Sequence, residues 1–244
     1  MQQIVVALVA VLALAGVATA VVWALGLERP WLQPVAILRA IAQLGVLSVI
    51  LLGVVSDGRW VAGFLVVMLG AAAWVVGRRL QWSVRDTLLV VPIIAIAAAV
   101  PVSIVFAIGA VEWGPRYLLA LGGIVIGNCM TVCTLMGRGV RSALLADRDQ
   151  VEGWLALGAT PRRAAQLEVR QAGSTALIPT VDQTRTTGIV TLPGAFVGAV
   201  FAGASPVEAA VFQLVVLACI LVAGALCVAA FSWRLGAPTT LATA

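Results

Sequence analysis

Long apolar stretches alternate along this chain with short polar breaks. Seven stretches read as helices of membrane length, at about 4–25, 35–55, 60–76, 87–111, 118–136, 187–203 and 207–233. Roughly 20 helical residues at ~1.5 Å each cross ~30 Å of hydrocarbon. The third and sixth stretches are short, and Pro92 and Pro101 interrupt the fourth. The pattern predicts one all-α, polytopic helical membrane domain over 1–244, with a single loop of about 137–186 long enough to fold outside the spans.

Composition agrees with the pattern. Hydrophobic residues make up 62% of the 244 and charged residues only 10%, against roughly 25% charged in soluble domains. There is no histidine, which excludes His-based zinc sites, His general bases and His proton relays. The four cysteines, Cys129, Cys133, Cys219 and Cys227, all fall in apolar stretches, unlike a secreted disulfide framework. The first stretch is read as a retained helix. Ala18-Thr19-Ala20 resembles a cleavage site, yet no positive charge precedes the apolar run.

Charge sets an expected orientation. Every one of the 15 basic residues is an arginine, and the net charge is +5. Segment 77–86 holds Arg78, Arg79 and Arg85; segment 137–186 holds Arg138, Arg141, Arg148, Arg162, Arg163, Arg170 and Arg185. The alternate loops are nearly bare. The positive-inside rule places both rich segments in the cytosol, with the N-terminus outside and the tail after Arg234 inside. The tail 237–244 is small and polar and is expected to be disordered.

Within the long loop, Val151, Trp154, Leu155 and Gly158 recur at helical spacing and form one apolar stripe. Gly158 suits a left-handed stop. Thr160 can cap the next helix, with Pro161 in its first turn. There Arg162, Arg163, Gln166 and Arg170 share one arc, with Ala164, Ala165, Val169 and Ala172 opposite. Two readings fit: an interfacial helix pair resting on lipid phosphates, or a docking element for a cytosolic partner.

Further motifs carry a resemblance. Glu152-Gly-Trp-Leu-Ala-Leu-Gly158 fits the Glu-x-x-x-x-x-Gly start of the coupling loop of ABC permeases, with Gly153 and Trp154 in place of two alanines and a proline, Pro179, further downstream than in importers. Leu157-Gly-Ala-Thr-Pro161, Ala176-Leu-Ile-Pro-Thr-Val-Asp182, Gly188-Ile-Val-Thr-Leu-Pro-Gly194 and Gly203-Ala-Ser-Pro206 resemble the FetB-type ABC permease family, as do Arg39-Ala-Ile-Ala-Gln43-Leu44 and Gly127-Asn128-Cys-Met130 upstream. The matches run from 39 to 206 in family order. The resemblance implies an exporter permease of the inner membrane, working as a homodimer with a separate ATP-binding subunit that carries ATP and Mg. It assigns coupling to that ATPase to Glu152, Trp154, Gly158, Thr160, Pro161, Arg162, Arg163 and Arg170. Bacterial members are linked to iron export, plant relatives to nucleotide-sugar transport and aluminium tolerance. Relatives often carry Met-Met after Leu-Pro-Gly; Ala195 and Phe196 stand here, so two soft donors are missing and iron as cargo is in question.

Polar or irregular positions inside the spans are path candidates, because burying them is costly. Arg39 and Gln43, one turn apart, either line a path or serve as a snorkelling cation and an interhelical hydrogen bond. Asn128 is a path residue or helix glue. Cys129 and Cys133, four apart with Met130 and Met136 nearby, are a soft-metal pair or packing; Cys219 and Cys227, two turns apart, are read as packing. Gly188, Pro193, Gly194, Gly198 and Gly203 make the sixth stretch a poor regular helix. It is either a gating element or a close-packing one, with Gly194 and Gly198 as a dimer contact. Asp182 and Arg185 are read as a mutual pair, as partner contacts or as solvated charges.

No Gly-x-x-x-x-Gly-Lys-Ser/Thr motif is present, no two carboxylates share a span, and His-dependent nucleophile dyads are excluded. The expected product is therefore no enzyme. It is a transport subunit that binds no cofactor or nucleic acid itself and touches membrane lipid. A stand-alone secondary transporter and a membrane scaffold are the alternatives from other classes.

Overall fold

The computed structural model describes residues 2–54 and 57–237. Among them the elements are helical: α1 (Gln2–Ala24), α2 (Leu32–Val54), α3 (Gly58–Leu80), α4 (Val84–Ala107), α5 (Pro115–Ala146), α6 (Arg148–Ala156), α7 (Pro161–Ala164), α8 (Gln166–Thr186), α9 (Gly194–Phe201) and α10 (Pro206–Leu235). A Thr187–Thr191 bridge is the β feature. Six of these helices, α1 to α5 and α10, are long and apolar enough to cross a membrane. The expectation of an all-α polytopic membrane fold holds.

Two compact units make up the chain, Met1–Ser56 and Asp57–Ala244. In the first, α1 and α2 pack as a pair across a turn in which Gly26 and Arg29 take left-handed backbone conformations.

In the second unit, helix directions follow from contacts. Gly122 lies against Leu65, and Gly137 against Leu80, so α3 and α5 run the same way. Tyr117 meets Phe212 near the start of α5 and α10, and Gly224 meets Val132 further along both. These two are therefore parallel as well. α8 runs the other way along α5: Ala172 sits at Gly139, Gly173 at Met136 and Thr180 at Asn128. α4 begins where α10 ends, as the Arg234–Asp86 pair shows. The core lies between these helices, around Val76, Ile94, Val132, Met136, Ile220 and Phe231.

Sequence chemistry explains the ends. Ser205 and Glu208 form a reciprocal capping box with Pro206 in the first turn of α10. Ser83 accepts from the Asp86 amide to start α4. Small residues explain how α8 comes so close: Gly139, Ala172, Gly173, Ala176 and Gly224 let backbones approach.

Four expectations need correction. Stretch 187–203 is not one membrane-length helix; it is an irregular segment, 187–193, followed by the eight-residue α9, because Gly188 and Pro193 end any regular ladder there. The loop of 137–186 is mostly not a loop. Residues 137–146 extend α5, and 166–186 form α8 inside the bundle, where an alanine- and glycine-rich stripe finds cover against α5 and α10. The second loop helix breaks at Ala165, so Arg162 and Arg163 stand on α7 while Gln166 and Arg170 stand on α8. α4 is continuous through Pro92 and Pro101. The tail expected to be disordered lies, from 238 on, outside the described residues.

Candidate functional site

At one end of the second unit, α6 and α7 cap the bundle. Val151 and Ala164 are buried beneath them, while Trp154 stays 48% exposed. Arg148 and Glu152 pair at 2.7 Å on the outer face, four residues apart, and Glu152 raises the already high Arg148 guanidinium value further. α6 stops as expected. Gly158 has φ +86°, and the Ala159 amide reaches back to the Trp154 carbonyl, the Schellman closure that a glycine there permits. Thr160 is the N-cap of α7 with Pro161 following, although the Thr160 hydroxyl makes no capping bond.

Arg162 ties this cap to the bundle. Its guanidinium donates to the Trp233 carbonyl at 2.9 Å and lies 5.5 Å over the Trp233 ring. Arg234, next in sequence, pairs with Asp86 at 2.8 Å. The last turn of α10 is thus held to α7 on one side and to the start of α4 on the other.

Two clefts flank Arg163. One, of about 280 Å³, is lined by Gln150, Trp154, Gln166, Glu168 and Arg170 among others. The second, of about 470 Å³, lies between Thr160, Arg162, Arg170, Ser232 and Gly236. Every predicted coupling residue except Glu152, Gly158 and Pro161 lines one or the other. Glu168 is 2% exposed with an unpartnered Oε2.

Deeper in the bundle, the Asn128 amide donates to the Thr180 hydroxyl at 3.2 Å, while its Oδ1 is buried without a partner. Gln213 of α10 is buried in the same way. Cys129 and Cys133 of α5 and Cys227 of α10 belong to the buried core between the helices. All three are fully buried and unoxidised, as is Cys219 to within 1%. They face core atoms on every side. No group of three or more Cys, Asp or Glu among the described residues is placed to hold a metal ion.

At the other end, 187–193 turns sharply. Gly188 has φ +84°, and the amides of Ile189, Val190 and Thr191 all return to the Thr186 carbonyl. Pro193 caps α9, and Gly194 opens it. Between α5, α9 and α10 lies a cleft of about 810 Å³, with alanine walls (Ala120, Ala195, Ala199, Ala209) and with Arg116 and Glu208 also in its lining. Asp182 and Arg185 are both exposed on α8 and form no ion pair with each other. Arg39 and Gln43 are exposed on α2 in the first unit.

Sequence reading missed Glu168, Gln213, Thr180 and Trp233. A signal existed for Glu168: it shares the helical stripe of Ala165, Val169 and Ala172, where an acid is out of place. Gln213 stands alone in an apolar span. Nothing local marked Trp233 or Thr180, which matter through contacts 71 and 52 residues distant.

Compared with known proteins, the chain matches the uncharacterised protein family UPF0014 over residues 3–237. It is 34% identical over 214 residues to the UPF0014 membrane protein STAR2 of Oryza sativa subsp. japonica, covering 87% of this chain and 74% of that protein. It is 30% identical over 194 residues to the probable iron export permease protein FetB of Escherichia coli (strain K12), covering 79% and 74%. Protein ALUMINUM SENSITIVE 3 of Arabidopsis thaliana is 30% identical over 181 residues, covering 73% and 66%. No solved structure matches.

Proposed function

This chain belongs to the UPF0014 family, and on that premise we propose that it is the permease subunit of an ABC exporter, driven by a separate ATP-binding subunit. The permease works as a homodimer in the plasma (inner) membrane. Its arginine-rich end, with α6, α7 and the end of α10, faces the cytosol, and its N-terminus lies outside. ATP and Mg stay on the partner subunit. The observation that carries this reading is the α6–α7 cap. It is a compact pair of short helices with grooves beside it, linked by Arg162 to the last turn of α10. A partner pressing on that cap moves a membrane-length helix directly.

Cargo is iron or another metal ion in the first instance, on the strength of the name of the bacterial relative. A non-metal cargo such as a nucleotide sugar is the alternative, favoured by the absence of thioether donors at Ala195 and Phe196 and by the enclosure of every thiol.

The test is reconstitution in nanodiscs with the cognate ATP-binding subunit. The permease is expected to bind that subunit and raise its ATP hydrolysis several-fold. Normal binding with no stimulation points to a scaffold, and cargo movement in liposomes without the subunit points to a secondary transporter. Cellular iron that stays unchanged in a deletion strain under iron or oxidative stress removes iron as cargo.

A further inference from the structure

α5 and α10 lie parallel and in contact, yet the chain joins the end of one to the start of the other. If both cross the bilayer, the intervening segment must return across it. Only α8, the turn 187–193 and α9 cover that distance: α8 lies antiparallel along α5 from Gly139 past Asn128, and α9 continues to the cleft at Arg116 and Tyr117.

α8 is a poor guest for lipid. Its buried stripe is Glu168, Val169, Ala172, Gly173, Ala176 and Thr180. The opposite, exposed face carries Arg170, Gln171, Ser174, Thr175, Asp182 and Arg185, with the apolar Leu167 and Ile178 among them and Gln183 exposed beside the buried stripe; its polar members spread over about 22 Å of axis at ~1.5 Å per residue. Hydrocarbon does not accept such a face, and irregular backbone such as 187–193 is tolerated at membrane depth only against protein or a water-filled cavity.

We propose that α8 and α9 form a broken membrane crossing whose exposed α8 face lines an aqueous cargo path, and that the path receives a hydrophilic solute bound through oxygen and guanidinium groups. This rests on the transporter reading for the word cargo, while the crossing itself does not. The polar groups on and beside the face are amides, hydroxyls, one carboxylate, which accepts hydrogen bonds, and two guanidiniums, which donate them. The thiols point into the core instead, so a thiophilic ion finds no ligand there.

Single-cysteine variants of the full chain test this with a membrane-impermeant maleimide, applied to whole cells and to inside-out vesicles. Gln171→Cys, Ser174→Cys and Gln183→Cys are expected to label at least tenfold faster than Ala172→Cys and Ala176→Cys, with the wild-type chain unlabelled. Leu157→Cys and Ala202→Cys are expected to label from opposite sides. Labelling of those two from one side overturns the crossing. Protection of the whole face, with Thr175→Cys cross-linking to a second copy, overturns the path in favour of a sealed dimer contact. Purified wild-type chain is expected to retain no cadmium, whereas Gln171→Cys/Ser174→Cys retains it; stoichiometric cadmium on wild type overturns the oxygen-donor assignment. None of these readouts needs the ATP-binding subunit, so failed ATPase stimulation sinks the transporter reading and leaves the crossing standing.

Discussion

Arg162 and Trp233 are 71 residues apart and share two contacts, a hydrogen bond from the guanidinium to the tryptophan carbonyl and the stacking of that guanidinium on the indole. The carbonyl belongs to the last turn of α10, where helical acceptors lack intrahelical donors and a cation is favoured. One residue of α7 thereby completes a helix that begins at the other end of the second unit.

Arg162→Ala removes the donor and the stack. The contact is exposed, so the stability loss is about 1 kcal/mol, read as a small drop in thermal midpoint in detergent. Coupling suffers more: ATPase stimulation by the permease is expected to fall about tenfold while subunit binding persists. Arg162→Lys keeps charge without the planar fork and restores only part of it.

Gly158→Val forces a branched side chain into a left-handed conformation, at a local cost of roughly 1–2 kcal/mol. The expected result is loss of ATP-binding-subunit capture in a pull-down, with the thermal midpoint of the exposed α6–α7 cap's host bundle nearly unchanged. Glu152→Lys sets two cations side by side with Arg148 and is expected to weaken capture in the same assay. If capture and transport both survive these changes, the coupling role of the cap is wrong.

Asn128 and Thr180 hold α8 to α5 from within. A double-mutant cycle with Asn128→Ala and Thr180→Ala is expected to give a coupling energy of about 0.6 kcal/mol, the average for hydrogen bonds between membrane helices, and no more than about 1.7 kcal/mol. Chemical unfolding in detergent measures it, and a value of zero removes the bond as a stabilising link.

Gly139 faces Ala172 with room for little else: a Cβ there would lie 3.1 Å from the Ala172 Cβ and 3.5 Å from its Cα. Gly139→Leu therefore drives α8 off α5 and is expected to cost about 1–3 kcal/mol. Size-exclusion chromatography after heating would show earlier aggregation than for Gly153→Leu, at a glycine with open space around it.

Triple replacement of Cys129, Cys133 and Cys227 by alanine removes packing volume but no exposed ligand. Transport by the complex is expected to stay within about twofold while stability falls by a few kcal/mol. A loss of transport at unchanged stability would return the thiols to the cargo path.

Where polarity and burial coincide, the sequence was readable. The six apolar helices follow from composition, and Gly158 as a left-handed stop and Ala164, Ala165, Val169 and Ala172 as a buried face were legible from spacing alone. α8 was not, because its buried side is mostly alanine, glycine and threonine and includes the acid Glu168. That stripe is too weakly apolar to announce an interior helix, and the arginines around it pointed to a membrane surface. Stretch 187–203 misled in the opposite sense. Ile189, Val190, Leu192 and Phe201 supply the hydropathy of a span, yet all four are exposed around a turn that Gly188 and Pro193 impose. Long-range partners such as Trp233 for Arg162 leave no trace in local pattern.

The order of synthesis gives the position of α8 a further meaning. Its two supports straddle it along the chain, α5 before and α10 after, so α8 emerges from the ribosome when only half of its resting place exists. A ribosome adding about 5–20 residues per second needs several seconds to deliver α10. With Asp182 and Arg185 each costing roughly 2.5–3.5 kcal/mol at the centre of an inserting helix, the translocation channel has no reason to release α8 into lipid on its own. This segment must wait beside α5 at the channel until α10 arrives, and a chain truncated before Pro206 should be a substrate for quality-control proteolysis.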